Sequence, residues 1–268
     1  MFNKESIVIK LLIKEINNIK DFKKTFNYHY KSQKYDIRDI LIDIFYVLKT
    51  GIPWRALRSR INWNTVYKTY VKLNKYGIFK KCYKSLLSKY LKNNKGKLKY
   101  IYTDTSIIPN KYGINKANLN KYYKNKKVTK LSLITIKNGI PFNVRLYGGN
   151  RNDSYIFQDQ LINDKILKNN ENKKYFMADK GYDSKNIKDI MSELGYTNII
   201  PQNRRGIKNQ DKIRSFSDNK IKYRKRIKVE NMFSKIKLFR RLSIRYDKYE
   251  TIFMGFVWLS LIFIIKNI

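Results

Sequence analysis

The spacing of apolar residues changes once along this chain, and that change limits the folds open to it. Before residue 95 the period is helical: Ile37, Ile40, Leu41, Ile44, Phe45 and Leu48 lie on one face, and Gly51-Ile52-Pro53-Trp54 breaks the run. A second helix is predicted after Asn62-Trp63-Asn64, with Val66, Tyr67, Tyr70, Val71 and Leu73 on its apolar side and Gly77 as its end. A third runs from about Phe79 to Leu91, and Lys92-Asn93-Asn94-Lys95-Gly96-Lys97 reads as a linker. From residue 98 the period becomes that of strands, over 98–108, 131–137 and, after the Asn138-Gly139 turn, 141–147. Helix 155–166, strand 175–178, helix 184–194, strand 198–200 and two last helices complete the prediction. The order β-β-β-α-β-α-β-α is that of an α/β fold with a mixed sheet flanked by helices, preceded by an all-α domain. Residues 1–95 form the helical part and 96–268 the sheet part. The first is either a helix-turn-helix-like DNA-binding bundle or a plain helical cap.

Two aspartates fall where apolar strands give way to loops: Asp104 in Tyr102-Thr103-Asp104-Thr105-Ser106, and Asp179 in Met177-Ala178-Asp179-Lys180-Gly181-Tyr182-Asp183. In open α/β sheets that edge is where ligands bind, so two such acids can converge there. Singly, each is also an ordinary turn or cap residue. A third acid, Glu230, lies in Tyr223-x2-Arg226-x3-Glu230-x6-Lys237. On one unbroken α-helix these four side chains project at about 0°, 300°, 340° and 320°, an arc of roughly 60°. Val229, Met232, Phe233, Ile236 and Phe239 form an apolar stripe beside them, so the helix can pack on a core and keep Glu230 at its rim. Asp104, Asp179 and Glu230 are hard oxygen ligands suited to Mg²⁺ or Mn²⁺. Two such ions about 3.5 to 4 Å apart would stabilise both the attacking and the leaving oxygen of an in-line phosphoryl displacement. Arg226 and Lys237 beside them would grip phosphate, or else be solvated cations on a basic helix.

Composition narrows the chemistry further. The chain has 59 Lys and Arg against 20 Asp and Glu, a net charge of +39 that repels itself unless a polyanion neutralises it. Nucleic acid is the expected partner. The 268 residues, with 22 Tyr and 14 Phe, are ample for a core. One cysteine, Cys82, and one histidine, His29, exclude an intrachain disulfide and a four-ligand zinc site of the usual kind. Lysines interrupt the apolar N-terminus, which argues against a signal peptide. The apolar run Ile252 to Ile265 falls short of the roughly 20 residues that span a bilayer. It reads as a buried helix, with a membrane anchor as the alternative. Arg204, Arg205, Lys208, Lys212 and Arg214 form a basic loop before the Glu230 helix, able to track phosphates or simply to be solvated. Trp54 and Trp63 read as core anchors rather than base-stacking platforms.

Tyr223, Arg226, Glu230 and Lys237 reproduce the Y-(2)-R-(3)-E-(6)-K signature of bacterial insertion-sequence DDE transposases. The chain further resembles the compact insertion-sequence-five group in Gly51-Ile52-Pro53-Trp54-Arg55-Ala56-Leu57, in Gly148-Gly149-Asn150-Arg151-Asn152-Asp153-Ser154 and in Ala178-Asp179-Lys180-Gly181-Tyr182-Asp183. The likeness spans roughly residues 35–268. It implies an RNase H-like core with Asp104, Asp179 and Glu230 as the DDE triad. It also implies metal-dependent cleavage at transposon ends, transfer of the freed 3′ hydroxyl into target DNA, and contacts of Tyr223, Arg226 and Lys237 with the end. The expected partners are transposon terminal repeats and target DNA, with a homo-oligomer on the ends, no small-molecule substrate and no membrane. The expected location is the cytoplasm or nucleoid, or the nucleus of a eukaryotic host. Two departures stand out: residues 124–130 lack the glycines usual before the second strand, and position 152 is Asn where a basic residue is common. Only 50 residues separate Asp179 from Glu230, which favours the compact architecture. The competing readings are a transposase-derived DNA-binding protein without cleavage and an RNase H-like nuclease without strand transfer.

Overall fold

The computed structural model describes residues 2–19, 35–93, 99–162, 174–204 and 219–266. In chain order it contains helices α1 (Phe2–Asn17), α2 (Ile37–Thr50), α3 (Trp63–Lys75) and α4 (Ile78–Lys92), then strands β1 (Tyr100–Pro109), β2 (Asn118–Asn120), β3 (Lys126–Ile136) and β4 (Pro141–Gly148). Helix α5 (Asp153–Ile162), strand β5 (Lys174–Met177), helix α6 (Lys185–Glu193) and strand β6 (Tyr196–Ile199) follow. Helices α7 (Lys220–Tyr223), α8 (Ile227–Lys237), α9 (Arg240–Ser243) and α10 (Glu250–Ile265) end the chain. Residues Met1–Tyr90, Asn110–Asn115 and Lys235–Ile268 make one compact unit, and Leu91–Pro109 with Lys116–Ser234 make the other. His29, most of the expected linker and the loop residues 205–218 lie outside the described residues.

In the helical unit each boundary has a local cause. The Asp36 carboxylate accepts the Arg38 N–H at 3.0 Å and starts α2. Gly51, in the left-handed region at φ +73°, ends it with its N–H donated to the Val47 carbonyl. Asn62 caps α3 in the same way through the Asn64 N–H. Helix α10 is apolar around its whole circumference and is the buried helix expected from residues 252–265. It packs on α1 and α3. None of the described helices is long and apolar enough to cross a membrane. At the contact with α3, Tyr70 stacks on Phe256 with ring centroids 4.5 Å apart and donates its hydroxyl to the Ile252 carbonyl at 2.5 Å. Gly255 makes this approach possible, because a Cβ there would stand 2.5 Å from the Tyr70 hydroxyl and 2.8 Å from Asn74 Oδ1. Trp54 is buried among Tyr67, Tyr70 and Phe256, the anchoring role expected of it, whereas Trp63 is only half-buried.

The second unit is a six-stranded mixed sheet with helices, the α/β arrangement expected from the sequence. β1 lies at its centre, antiparallel to β3 on one side and parallel to β5 on the other. β3 in turn pairs antiparallel with β4 along residues 129–135 and with β2 along 126–128, and β6 lies parallel to β5 at the far edge. Helices α5 and α6 lie on the connections into β5 and β6, the crossovers that parallel strands require. Buried polar bonds lock α5 to the sheet: Ser132 donates to Gln160 Oε1 at 2.7 Å, and Gln160 donates to Asn143 Oδ1 at 3.1 Å.

The unit differs from the expected one at several places, of which three bear on the site. β3 begins at Lys126 rather than at 131, because Val128 and Thr129 are buried within a stretch whose many lysines masked the strand period. The three-residue β2 carries no period of its own and exists only as a partner of β3. α5 starts at Asp153 rather than at 155. We predict that Gly255→Ala lowers stability by about 1–3 kcal/mol, the usual cost of overpacking. A thermal or urea unfolding midpoint equal to wild type would contradict the tight α3–α10 contact.

Candidate active site

The register of the sheet brings the two aspartates together. β5 pairs with β1 only as far as Met177 against Tyr102, whereas β3 accompanies β1 to Pro109. Asp104 is therefore not at the end of its strand, as the sequence suggested; it is the fifth of ten strand residues. What ends near it is the parallel pairing. Asp104 lies two residues beyond Tyr102, and Asp179 two beyond Met177 with an extended backbone at φ −76° and ψ 175°. Side chains alternate with period two and neighbouring strands lie about 4.8 Å apart, so both acids continue the same row on adjacent strands. Their mutual repulsion contributes to the Asp104 pKa.

Each aspartate is held by its own backbone. Asp104 Oδ1 accepts the Thr105 N–H at 2.8 Å. Asp179 Oδ1 accepts the Gly181 N–H at 2.7 Å and caps the 3₁₀ turn Lys180–Tyr182. Gly181 suits this turn because a Cβ would come within 3.0 Å of that same oxygen.

Glu230 joins through a cation. Arg226 donates Nη1 to Asp104 Oδ2 at 2.8 Å and Nη2 to Glu230 Oε1, so one guanidinium links a strand acid to a helix acid. Among the described residues no three Asp, Glu, Cys or His side chains are set closely enough to hold one ion. Burial, opposed by the positive charge and hydrogen bond of Arg226, raises the Asp104 carboxyl to about 6. Burial pulls the Arg226 pKa down, but Asp104 and Tyr223 outweigh it and the net shift is upward. The donor set is oxygen only, with a partly buried carboxylate that already holds a cation. It suits a hard divalent ion.

The segment that carries Arg226 is not one unbroken α-helix. A 3₁₀ turn, Arg224–Arg226, separates α7 from α8, so the projection angles of a regular helix do not hold from Tyr223 onward. With three residues per turn, positions i and i+3 eclipse, and the Arg226 guanidinium stands 5.7 Å from the Tyr223 ring centroid. Two lysines seat this segment on the sheet. Tyr100 and Tyr175, paired across β1 and β5, stack at 5.4 Å, with Lys225 4.6 Å from the first ring and Lys222 4.8 Å from the second. Nothing in the spacing of those four residues announced the contact. Val229, Met232, Phe233 and Ile236 are buried as the apolar stripe of α8, with Glu230 exposed beside them.

The remaining expected residues are more dispersed. Lys237 ends α8 and belongs to the helical compact unit, and burial lowers its pKa. Arg204 is exposed and directly follows Asn203, whose N–H donates to Asp183 Oδ2 at 2.7 Å. Arg205 lies outside the described residues, as do Lys208, Lys212 and Arg214. One pair went unnoticed in the sequence. Asp153, first residue of α5, accepts from Thr105 Oγ1 at 2.8 Å and from the buried Lys130 ammonium at 2.7 Å. Lys130 also donates to the Arg151 carbonyl at 2.8 Å, so the Asn150–Ser154 element is tied to β3 and to the residue after Asp104. Its resemblance to a family motif was the available signal for Asp153; nothing distinguished Lys130 from its neighbouring lysines.

The raised Asp104 pKa has a definite sign in stability. Between the ordinary value of 3.8 and about 6 the folded protein binds the extra proton, so this group's contribution to stability falls as pH rises through that window. Asp104→Asn should therefore raise the melting temperature of the metal-free protein at pH 8. That gain should shrink toward zero by pH 4. A gain independent of pH would mean that the carboxylate is not burdened by burial.

The profile of the transposase DDE domain family matches residues 81–265, more than half of the chain. A second profile, for transposases of the IS4/5 family, matches residues 22–83. No curated protein sequence matches. Among solved structures the chain is similar to a Mos1 transposase paired-end complex with left transposon end, at 12% identity over 85% of this chain and 89% of that one, with a TM-score of 0.28. It is also similar to a Mos1 strand transfer complex, at 14% identity over 86% of this chain and 89% of that one, with the same TM-score. The assignment rests on the first of these profiles: the chain belongs to the DDE transposases, divalent-metal-dependent enzymes of DNA cleavage and strand transfer.

Proposed function

We propose that Asp104, Asp179 and Glu230 are the catalytic triad of this transposase and that they hold two Mg²⁺ or Mn²⁺ ions against the scissile phosphate of a transposon end. The observation that carries the reading is the sheet register, which sets Asp104 and Asp179 in one row on adjacent strands, with Glu230 tied to Asp104 through Arg226. Bound divalent ions supply charge neutralisation at the attacking and leaving oxygens. The chain's own residues supply the rest. The Thr105 and Gly181 N–H groups fix one oxygen each of Asp104 and Asp179, and the second Asp104 oxygen is the one that Arg226 holds and would yield to a cation. Arg226 neutralises the carboxylates in the free protein and, once cations and phosphate enter, its fork is suited to the phosphate oxygens. Tyr223, Lys237, Arg204 and Arg205 extend the contact along the DNA backbone. The freed 3′ hydroxyl would then attack a target phosphorus at the same carboxylates, forming a new P–O bond as the target's own bond to its 3′ oxygen breaks and that oxygen leaves with a proton.

In this reading residues 1–95 form the DNA-binding part and 96–268 the catalytic part. The protein acts on paired terminal repeats as a homo-oligomer, in the cytoplasm or nucleoid. The net charge of +39 supports a polyanionic partner along the whole chain.

The test is cleavage of labelled DNA carrying the flanking ends, in Mg²⁺ or Mn²⁺, by wild type and by Asp104→Ala, Asp179→Ala and Glu230→Gln. Each substitution should lower the cleavage rate by more than the roughly 100-fold that loss of an outer-shell partner of a metal costs, with DNA affinity largely kept. Strong residual cutting by all three variants would remove the triad. Arg226→Ala should weaken end binding across sequences and reduce the slope of log affinity against log salt by about 1. An unchanged salt slope would show that Arg226 does not reach phosphate.

A further inference from the structure

The helical unit contains a cavity of about 720 Å³ whose lining includes none of Asp104, Asp179 and Glu230. Its size is in the range that holds a small organic group. Trp54, Trp63, Tyr112 and Tyr249 line it together with Arg55 and Lys248. We infer that this cavity binds an unpaired nucleotide of a DNA strand, the base stacked on the aromatic rings and its phosphate held by the two cations.

Four observations support the assignment. The rings and charges are already adjacent, with the Arg55 guanidinium 5.8 Å from the Trp63 ring centroid and the Lys248 ammonium 5.7 Å from that of Tyr249. Flat faces beside cations are what a base with its phosphate needs, and such stacking tolerates any base. Tyr112 and Tyr249 keep 69% and 53% of their surface exposed, so two large rings are open to solvent. The indole N–H of Trp54 is buried with no partner among the described residues, and a buried donor of this kind calls for an acceptor. Finally, the one acid of the lining, Asp247, is neutralised by Arg241, whose Nη2 and Nε donate to it at 2.6 and 3.2 Å. The cavity wall is left with the positive charge of Arg55 and Lys248, which an apolar or cationic ligand would not match. Duplex DNA presents only phosphates to such a concave aromatic wall, whereas an unpaired base can enter it.

The inference rests on the DNA-acting reading above, and its test separates the two. Fluorescence anisotropy would measure the full-length protein on labelled oligothymidylate of about 10 nucleotides, within the range of sites known for single strands, and on a random-sequence duplex at the same salt. Tyr112→Ala and Tyr249→Ala, both at exposed rings that the fold can spare, should each weaken oligothymidylate about tenfold, the effect of one lost base–aromatic stack. Duplex affinity and melting temperature should not change, and Tyr249→Phe should restore oligothymidylate binding. Unchanged oligothymidylate binding in the double alanine variant would overturn the site while leaving the transposase reading intact. Equal losses on both DNAs would also overturn it, because they would mark a general phosphate surface. Thymidine monophosphate bound as tightly as the oligonucleotide would overturn the assignment to a strand. Failure of the wild-type protein to bind either DNA would sink both readings.

Discussion

The structure of the sheet unit depends on strand β1 being paired on both sides with unequal reach. Its antiparallel ladder with β3 runs to Pro109, and its parallel ladder with β5 stops at Tyr102. Beyond that point no described strand pairs with that side of β1, and Asp104 falls there, two residues on, with Asp179 at the matching place past the end of β5. A shift of one residue in either register would turn an acid to the opposite face of the sheet. The buried apolar residues Ile101, Tyr102, Phe176 and Met177 hold the register, so the core fixes the spacing of the acids.

Placing carboxylates there has an electrostatic cost that Arg226 offsets. Asp104 is largely desolvated, which alone would favour its neutral form, and the guanidinium that it shares with Glu230 opposes that. Arg226 thereby offsets the repulsion between Asp104 and Glu230 by standing between them. The same cation is held in place from below. Lys222 and Lys225 rest on the stacked Tyr175 and Tyr100, so the basic segment that leads into α8 is seated on the two strands that carry the aspartates.

Much of this was legible in the chain. The switch of period near residue 98, the Gly51 break, the apolar stripe of α8 and the burial of the C-terminal helix all follow from local pattern, because each depends on neighbours within a few residues. Strand β3 was legible only in part. Val128 and Thr129 face a core that the surrounding lysines hid, and Lys130 is buried only because Asp153 and the Arg151 carbonyl receive its ammonium. Strand β2 was not legible at all, since three residues with no period form a strand only against β3.

The sequence by itself determined most element types and the excess of positive charge, and through the four residues Tyr223, Arg226, Glu230 and Lys237 it carried the likeness to the transposase family. Only the tertiary structure decided that Asp104 lies in mid-strand, that a 3₁₀ turn brings Arg226 over Tyr223, and that Arg226 bridges two acids. Periodicity reports which side of an element is apolar. Strand register, the tightening of a helical turn and the pairing of charges more than a hundred residues apart arise from packing between elements, and no local pattern encodes them.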